Sequence, residues 1–280
     1  MEKVHLTREK ATLLITLYAK AEESRLPGSL LQDHYAAQAV ARIDHDFAAL
    51  GMRRDEMIGL AMRAYTLDGW VREFLAAHPG ATVLHLGCGL DSRVFRVDPP
   101  PEVHWFDVDF PEVIDLRRAL YPARPGYQML GSPMSDLGWL SRIPTDRPAL
   151  VVAEGLFLYM PEDEVLQLLR TVATQFPSGE IAFDAYSRTG LALAARNRMF
   201  RATGAVMRWS LGDPLDLEAQ VPGLRLRSEQ WLYEESGGTQ WARYSWPARA
   251  AIWMMRRVAP LRRLGCLLYT SDAADDSLRV

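Results

Sequence analysis

The sequence predicts an α/β protein: a doubly wound, Rossmann-like and mostly parallel sheet of six to seven strands, preceded by an N-terminal helical lid. Three observations carry that expectation. Ala81 to Leu86 is a short apolar run bounded by Pro79-Gly80 and a glycine turn, the pattern of a buried parallel strand. Val103 to Asp109 repeats the pattern about twenty residues on and ends in acid. Ala149 to Ala153 is almost purely apolar, as a strand covered on both faces must be.

Composition narrows the class. The 280 residues are 49% hydrophobic, with 35 acids against 32 bases and a formal net charge of −3. That is material for one large core, without the clustered basic face that nucleic-acid binding requires. Cys88 and Cys266 are too few for a disulfide scaffold or a multi-cysteine metal site, so a reduced, cytoplasmic chain is expected. There is no signal pattern and no apolar stretch near the length of a membrane span.

Before the first strand, the sequence predicts three helices. Residues 7 to 25 place Leu13, Leu14, Leu17, Tyr18 and Ala21 at helical spacing, with Thr7 or Thr12 as caps, and Pro27-Gly28 ends the segment. His34 to Phe47 is a second amphipathic stretch, in which Asp44-His45-Asp46 lacks the partners of a metal site. Arg54 to Ala77 is a third, with Met57, Leu60, Leu67, Val71 and Phe74 on its apolar face.

Beyond the second strand, Pro111 opens a helix to Leu120, with Glu112 favourable to its dipole. Tyr127 to Leu130 is a third strand. After the fourth at Ala149 to Ala153, Pro161 to Phe176 is a helix with three acids in its first turn, and Glu180 to Tyr186 a fifth strand. Helices at 190–203 and 214–219 form an insertion that roofs the acceptor pocket, with Phe200, Met207 and Trp209 as candidate lining. Leu224 to Tyr233 is a sixth strand and Pro247 to Val258 a helix.

The chemistry centres on Leu86-Gly87-Cys88-Gly89-Leu90-Asp91-Ser92-Arg93. Gly87 and Gly89 let the backbone bend sharply and approach a ligand. The dinucleotide fingerprint requires a third glycine for the pyrophosphate, and here Ser92 stands in its place. Asp107 or Asp109, at the end of the next strand, can take ribose hydroxyls. An adenosine and ribose site without a pyrophosphate site favours S-adenosylmethionine over NAD. Glu154 follows the fourth strand at the carboxyl edge of the sheet, where a buried carboxylate requires cations beside it. The sulfonium and ammonium of S-adenosylmethionine are such cations.

The glycine string, then Arg96, then Phe106-Asp107-Val108-Asp109-Phe110-Pro111-Glu112-Val113-Ile114, then Ala153-Glu154-Gly155-Leu156-Phe157-Leu158-Tyr159-Met160, resembles the leucine carboxyl methyltransferase family. The likeness is closest to its tetracenomycin-type branch of carboxylate O-methyltransferases in aromatic polyketide biosynthesis, and it runs from about Thr12 to about Trp246. It implies the class I methyltransferase sheet, S-adenosylmethionine as cofactor and no metal. It also implies that Arg63, in an Arg-x-x-x-x-Asp pattern, meets the cofactor's methionine carboxylate, a role suited to a guanidinium. Gly87, Cys88, Gly89, Asp91, Asp107, Asp109 and Glu154 then form the cofactor site. Asp136-Leu137 either meets the adenine or begins a helix whose cap is Asp136. Tyr159 and Glu154 are the candidates for positioning acceptor and cofactor, and Lys20 and Arg25 are further cations to be placed.

Such a fold ends in an antiparallel seventh strand. Here the chain gives Cys266-Leu267-Leu268-Tyr269-Thr270-Ser271-Asp272-Ala273-Ala274-Asp275-Asp276, which resembles translated adapter read-through. The expected organisation is a helical lid over 1–78, a methyltransferase core over 79–264 and a non-native tail over 265–280, in which Leu267 to Tyr269 could imitate a strand. The sheet edge is therefore in doubt.

The acceptor follows from acid–base chemistry. A carboxylate, of pKa about 4, is ionised at neutral pH, whereas a phenol, of pKa about 10, usually requires a base. All six histidines precede residue 105, and none follows strand four or five. The expected reaction is methyl-ester formation on a small-molecule carboxylic acid, without nucleic acid or membrane. Phenol methylation, protein C-terminal carboxyl methylation and cofactor binding without catalysis are the alternatives. An NAD(P) oxidoreductase is disfavoured by the missing glycine.

Overall fold

The computed structural model describes residues 2–3, 12–196, 201, 203–232, 239–257 and 266–273. Seven strands form its main sheet: β1 (Thr82–Leu86), β2 (His104–Asp109), β3 (Tyr127–Gly131), β4 (Ala149–Ala153), β5 (Gly179–Tyr186), β6 (Leu224–Trp231) and β7 (Cys266–Ala273). Their order across the sheet is β3-β2-β1-β4-β5-β7-β6. β1 to β5 pair in parallel, and β7 runs antiparallel to both β5 and β6. The doubly wound expectation holds at its upper strand count. The stretch set apart in the sequence supplies the antiparallel strand, inserted between β5 and β6, with Tyr269 buried and stacked on Phe183 at 5.4 Å.

The continuous apolar strands lie at the centre. Every residue of β1 and β4 is buried, whereas edge strand β3 keeps partial exposure. β1 pairs with β2 on one side and with β4 on the other, so the strand order reverses between β1 and β4. Loops leaving the carboxyl ends of two such strands diverge and open a cleft. The register aligns Leu86 with Ala153, which sets Gly87 and Glu154 side by side at its floor.

Helix α1 (Thr12–Ser24), α2 (His34–Arg42) and α3 (Arg54–Ala77) precede the sheet. α3 matches its expected bounds, because its apolar face is long and periodic and Glu56 accepts the Arg53 N–H at 2.9 Å across its first turn. Leu67, Val71 and Phe74 bury that face in the main core, about 1.5–3 kcal/mol for each side chain of this size. α2 ends earlier than expected, at Arg42. A two-residue strand, Ile43–Asp44, follows and Asp46 caps a 3₁₀ turn over Phe47–Leu50, so Asp44-His45-Asp46 is strand end, bend and cap rather than helix face.

α4 (Arg93–Val97) follows the glycine turn, α5 (Pro111–Leu120) follows β2, and α6 (Glu162–Gln175) follows β4. α7 (Arg188–Ala194), α8 (Pro214–Gln220) and α9 (Trp246–Arg257) complete the described helices. Thr7, Arg198, Phe200 and Tyr233 lie outside the described residues. No described helix is long and apolar enough to cross a membrane.

Candidate functional site

A cavity of about 620 Å³ opens over the carboxyl ends of β1 and β4. α1 and α3 supply one wall through Leu13, Thr16, Lys20, Leu60 and Arg63, and the loop after β4 supplies another through Glu154 to Pro161. Gly87 has φ +57°, and a Cβ there would stand 2.7 Å from Leu156 Cδ1. Gly89 has φ +50° and faces Leu13. Both positions require glycine, one for close approach and both for the left-handed backbone.

Arg63, Gly87, Cys88, Gly89, Asp91, Asp109, Glu154 and Tyr159 all line this cavity. Among the cations left to be placed, Lys20 lines it too, whereas Arg25 is exposed and pairs with Glu22. Burial pushes the Cys88 thiol well up, so it is an inert wall residue.

Met207 and Trp209, expected as lining, are absent from the cavity wall, Trp209 being buried against Phe157, and three expected cofactor residues are also placed elsewhere. Asp107 lies inside β2 rather than at its end and is fully buried behind the cavity. Its carboxylate pairs with Arg117 and accepts from Trp105 Nε1 at 2.9 Å and from Tyr127. Burial opposes its ionisation, but Arg117 and the His85 hydrogen bond prevail and hold its pKa at about 2. Asp107 therefore ties β2 to α5. Asp136 is exposed and accepts the Gly138 N–H at 2.9 Å, so the cap reading holds there. Leu137 follows it into that turn, and neighbouring Pro133, Met134 and Ser135 face the cavity instead.

A buried ionic network forms the floor. Glu154 accepts from Arg63 Nε at 3.3 Å and Nη2 at 3.2 Å, lies 3.1 Å from Lys20 Nζ, and pairs with Arg93. Asp91 takes Lys20 at 3.0 Å and Arg96 at 2.6 Å. Arg63 reaches Asp184 at 3.0 Å, Arg93 reaches Asp68 at 2.7 Å, and Arg96 reaches Asp33 at 2.7 Å. Burial works against ionised Glu154, yet Lys20, Arg63 and Arg93 keep its pKa far below the usual carboxylate range. Burial likewise opposes ionised Asp91, and Arg96, Lys20 and Arg93 overcome it.

Sequence reasoning missed Arg93, Asp33, Asp68 and Asp184 as members of this network. A lone acid inside the apolar run Ile181 to Ala185 was a signal for Asp184. Among the described contacts, Lys20, Arg63, Arg93 and Arg96 face Asp33, Asp68, Asp91, Glu154 and Asp184, so cations and carboxylates alternate through the floor. A ligand carrying a sulfonium, an ammonium and a carboxylate meets both carboxylates and a guanidinium along this cavity, a set of charges that suits S-adenosylmethionine.

Asp109 closes the other end of the floor. Its two oxygens accept the Gly89 and Phe110 N–H groups, each at 2.7 Å, which leaves lone pairs toward the cavity for ribose hydroxyls. Burial raises its pKa even so. His85 is engaged at both nitrogens. Arg93 can only donate and meets Nε2 at 3.2 Å, so Nδ1–H donates to Asp107 at 3.1 Å.

Comparison with known proteins gives the chain's family. The leucine carboxyl methyltransferase profile matches residues 14–123. The tetracenomycin polyketide synthesis O-methyltransferase TcmP of Streptomyces glaucescens is 46% identical over 235 residues, 84% of this chain and 87% of that one. The chain belongs to the leucine carboxyl methyltransferase family. An S-adenosyl-L-methionine-dependent methyltransferase of Gibberella zeae, dpfgK, is 37% identical, covering 85% of this chain and 88% of its own. Among solved structures, a candidate methyltransferase from Thermobifida fusca superposes with a TM-score of 0.57 at 17% identity, over 91% of this chain and 94% of that one. This member of the family is a methyltransferase, and S-adenosylmethionine is its methyl donor.

Proposed function

We propose that this enzyme forms a methyl ester on the carboxylate of a small aromatic acid. One observation carries the reading: among its described lining residues the cavity offers no free histidine for deprotonating an acceptor. His85 is the only histidine among the described lining residues, and both its nitrogens are taken. A carboxylate acceptor is already ionised at neutral pH, so it requires no base. The 46% identity to a polyketide O-methyltransferase supports an aromatic, polyketide-type acid.

When bound, S-adenosylmethionine supplies an electrophilic methyl group: the acceptor oxygen forms the O–CH₃ bond as the S–CH₃ bond breaks, and sulfur keeps the electron pair. The chain's own residues bind and align. Arg63 takes the methionine carboxylate, and Glu154 faces the cationic end of the same moiety. Asp109 accepts from the ribose, and Gly87 and Gly89 admit close approach of the backbone. Proximity and orientation of this kind can contribute roughly 7–11 kcal/mol toward the barrier. The buried network supports them because its members hold one another in place.

The test uses hydroxynaphthoic acids, which offer a carboxylate and a phenol in one molecule. Incubated with S-adenosylmethionine and the enzyme, they are expected to give a methylated product that alkali hydrolyses back to the acid. An alkali-stable methyl ether would assign the phenol reaction instead.

A further inference from the structure

The cavity has one cation unlike the others. Among the described lining residues, Lys20 and Arg63 are buried and paired with carboxylates, whereas Arg208 is exposed and has no side-chain partner among the described residues. Its position is built. The Arg208 N–H donates to Leu158 O at 2.7 Å, and Leu211 N–H donates to Tyr186 O at 2.9 Å. Between them Trp209 is buried against Phe157, with ring centroids 5.9 Å apart. The segment is thus pinned across the loops that leave β4 and β5. Neighbouring Val206, Leu158 and Met160 supply apolar wall.

We infer that Arg208 is the specificity-determining residue for the acceptor, binding one oxygen of an aryl carboxylate while the apolar wall takes its ring. The inference rests on the ester reading and extends it. A carboxylate is the commonest small-molecule partner for an unneutralised guanidinium, and an aryl body suits the apolar residues beside it. Holding one oxygen leaves the second free to attack. Once methylated, the acceptor is neutral and loses its attraction to Arg208, which favours release. Glu164, another lining acid, forms no ion pair with Arg208 among the described residues, so the guanidinium's charge stays available to an anionic acceptor.

Steady-state kinetics of the full-length enzyme test this, with S-adenosylmethionine and either 2-naphthoate or anthracene-2-carboxylate, for wild type, Arg208→Ala and Arg208→Lys. Loss of a charge-assisted hydrogen bond predicts a KM for the acid about 10- to 100-fold higher in Arg208→Ala. Arg208→Lys recovers part of that loss, while kcat and the KM for S-adenosylmethionine stay within about threefold of wild type. Ester formation by Arg208→Ala at an unchanged acid KM would overturn the role of Arg208 and leave the ester reading intact. A defect confined to the S-adenosylmethionine KM would overturn it equally. Failure of wild-type enzyme to esterify either acid would count against the ester reading itself, and this inference would fall with it.

Discussion

The two ends of the cavity are built on opposite principles. At the end proposed to hold the donor, Lys20, Arg63, Arg93, Asp91 and Glu154 have buried side chains and each charge meets its counter-charge. At the end proposed to take the acceptor, Arg208 and Glu164 are solvent-accessible and neither is paired among the described residues. A ligand that is the same in every turnover can be met by a floor locked in advance. A variable acceptor is met by exposed charge on an apolar wall, where one substitution changes specificity without breaking the fold. Buried ion pairs of this kind contribute modestly when intact but cost much when broken.

That asymmetry predicts a graded series of variants. The largest effect is expected for Glu154→Gln, which leaves Lys20, Arg63 and Arg93 facing an uncharged amide. Unfolding free energy should fall by about 3–5 kcal/mol in urea titrations, together with cofactor affinity. Wild-type stability in Glu154→Gln would mean that the donor floor is not one network.

Asp107→Asn should cost a similar order of stability, about 3–5 kcal/mol, by stranding buried Arg117. Asp107 does not reach the cavity, so the Kd for S-adenosylmethionine of the folded variant should stay within about twofold. The same carboxyl gives an acid signature. Its folded pKa of about 2 lies below the unfolded value near 4, so its stabilisation is complete above pH ~4 and fades as pH falls toward 2. Urea midpoints measured across that window should decline more steeply in wild type than in Asp107→Asn. An equal decline would remove Asp107 from the acid response.

Glu164→Gln should do least. Glu164 lines the acceptor end, and as a general base it would contribute about 10²- to 10⁴-fold to kcat. The ester reading predicts a change within about threefold, with kcat/KM level from pH 6 to 9. A drop of about a hundredfold, with activity rising through a base pKa, would favour phenol chemistry.

The same division explains what was legible in the sequence. α3, α5 and β4 fall on their expected bounds because their apolar periods, caps and flanking prolines are local properties. Gly87, Gly89, Asp109 and Glu154 were legible because each sits at a strand's carboxyl end, where the topology itself makes the cleft. Asp107 and Asp109 could not be told apart by spacing. Only the packing of Arg117 from α5 over the strand consigns Asp107 to the interior. Asp184, Asp33 and Asp68 find partners 25 to 121 residues away, and no local pattern announces such pairs. Arg208 sits in an insertion without periodicity, between helices, so only its place on the cavity wall sets it apart from the chain's other arginines.

The most direct test of the donor floor is a calorimetric comparison of S-adenosylmethionine with its decarboxylated analogue, for wild type and Arg63→Ala. If Arg63 receives the methionine carboxylate, wild type binds S-adenosylmethionine about 10- to 100-fold tighter than the analogue, and Arg63→Ala binds the two with nearly equal, weakened affinity. Undiminished discrimination by Arg63→Ala would contradict the account and move the carboxylate to another part of the cavity.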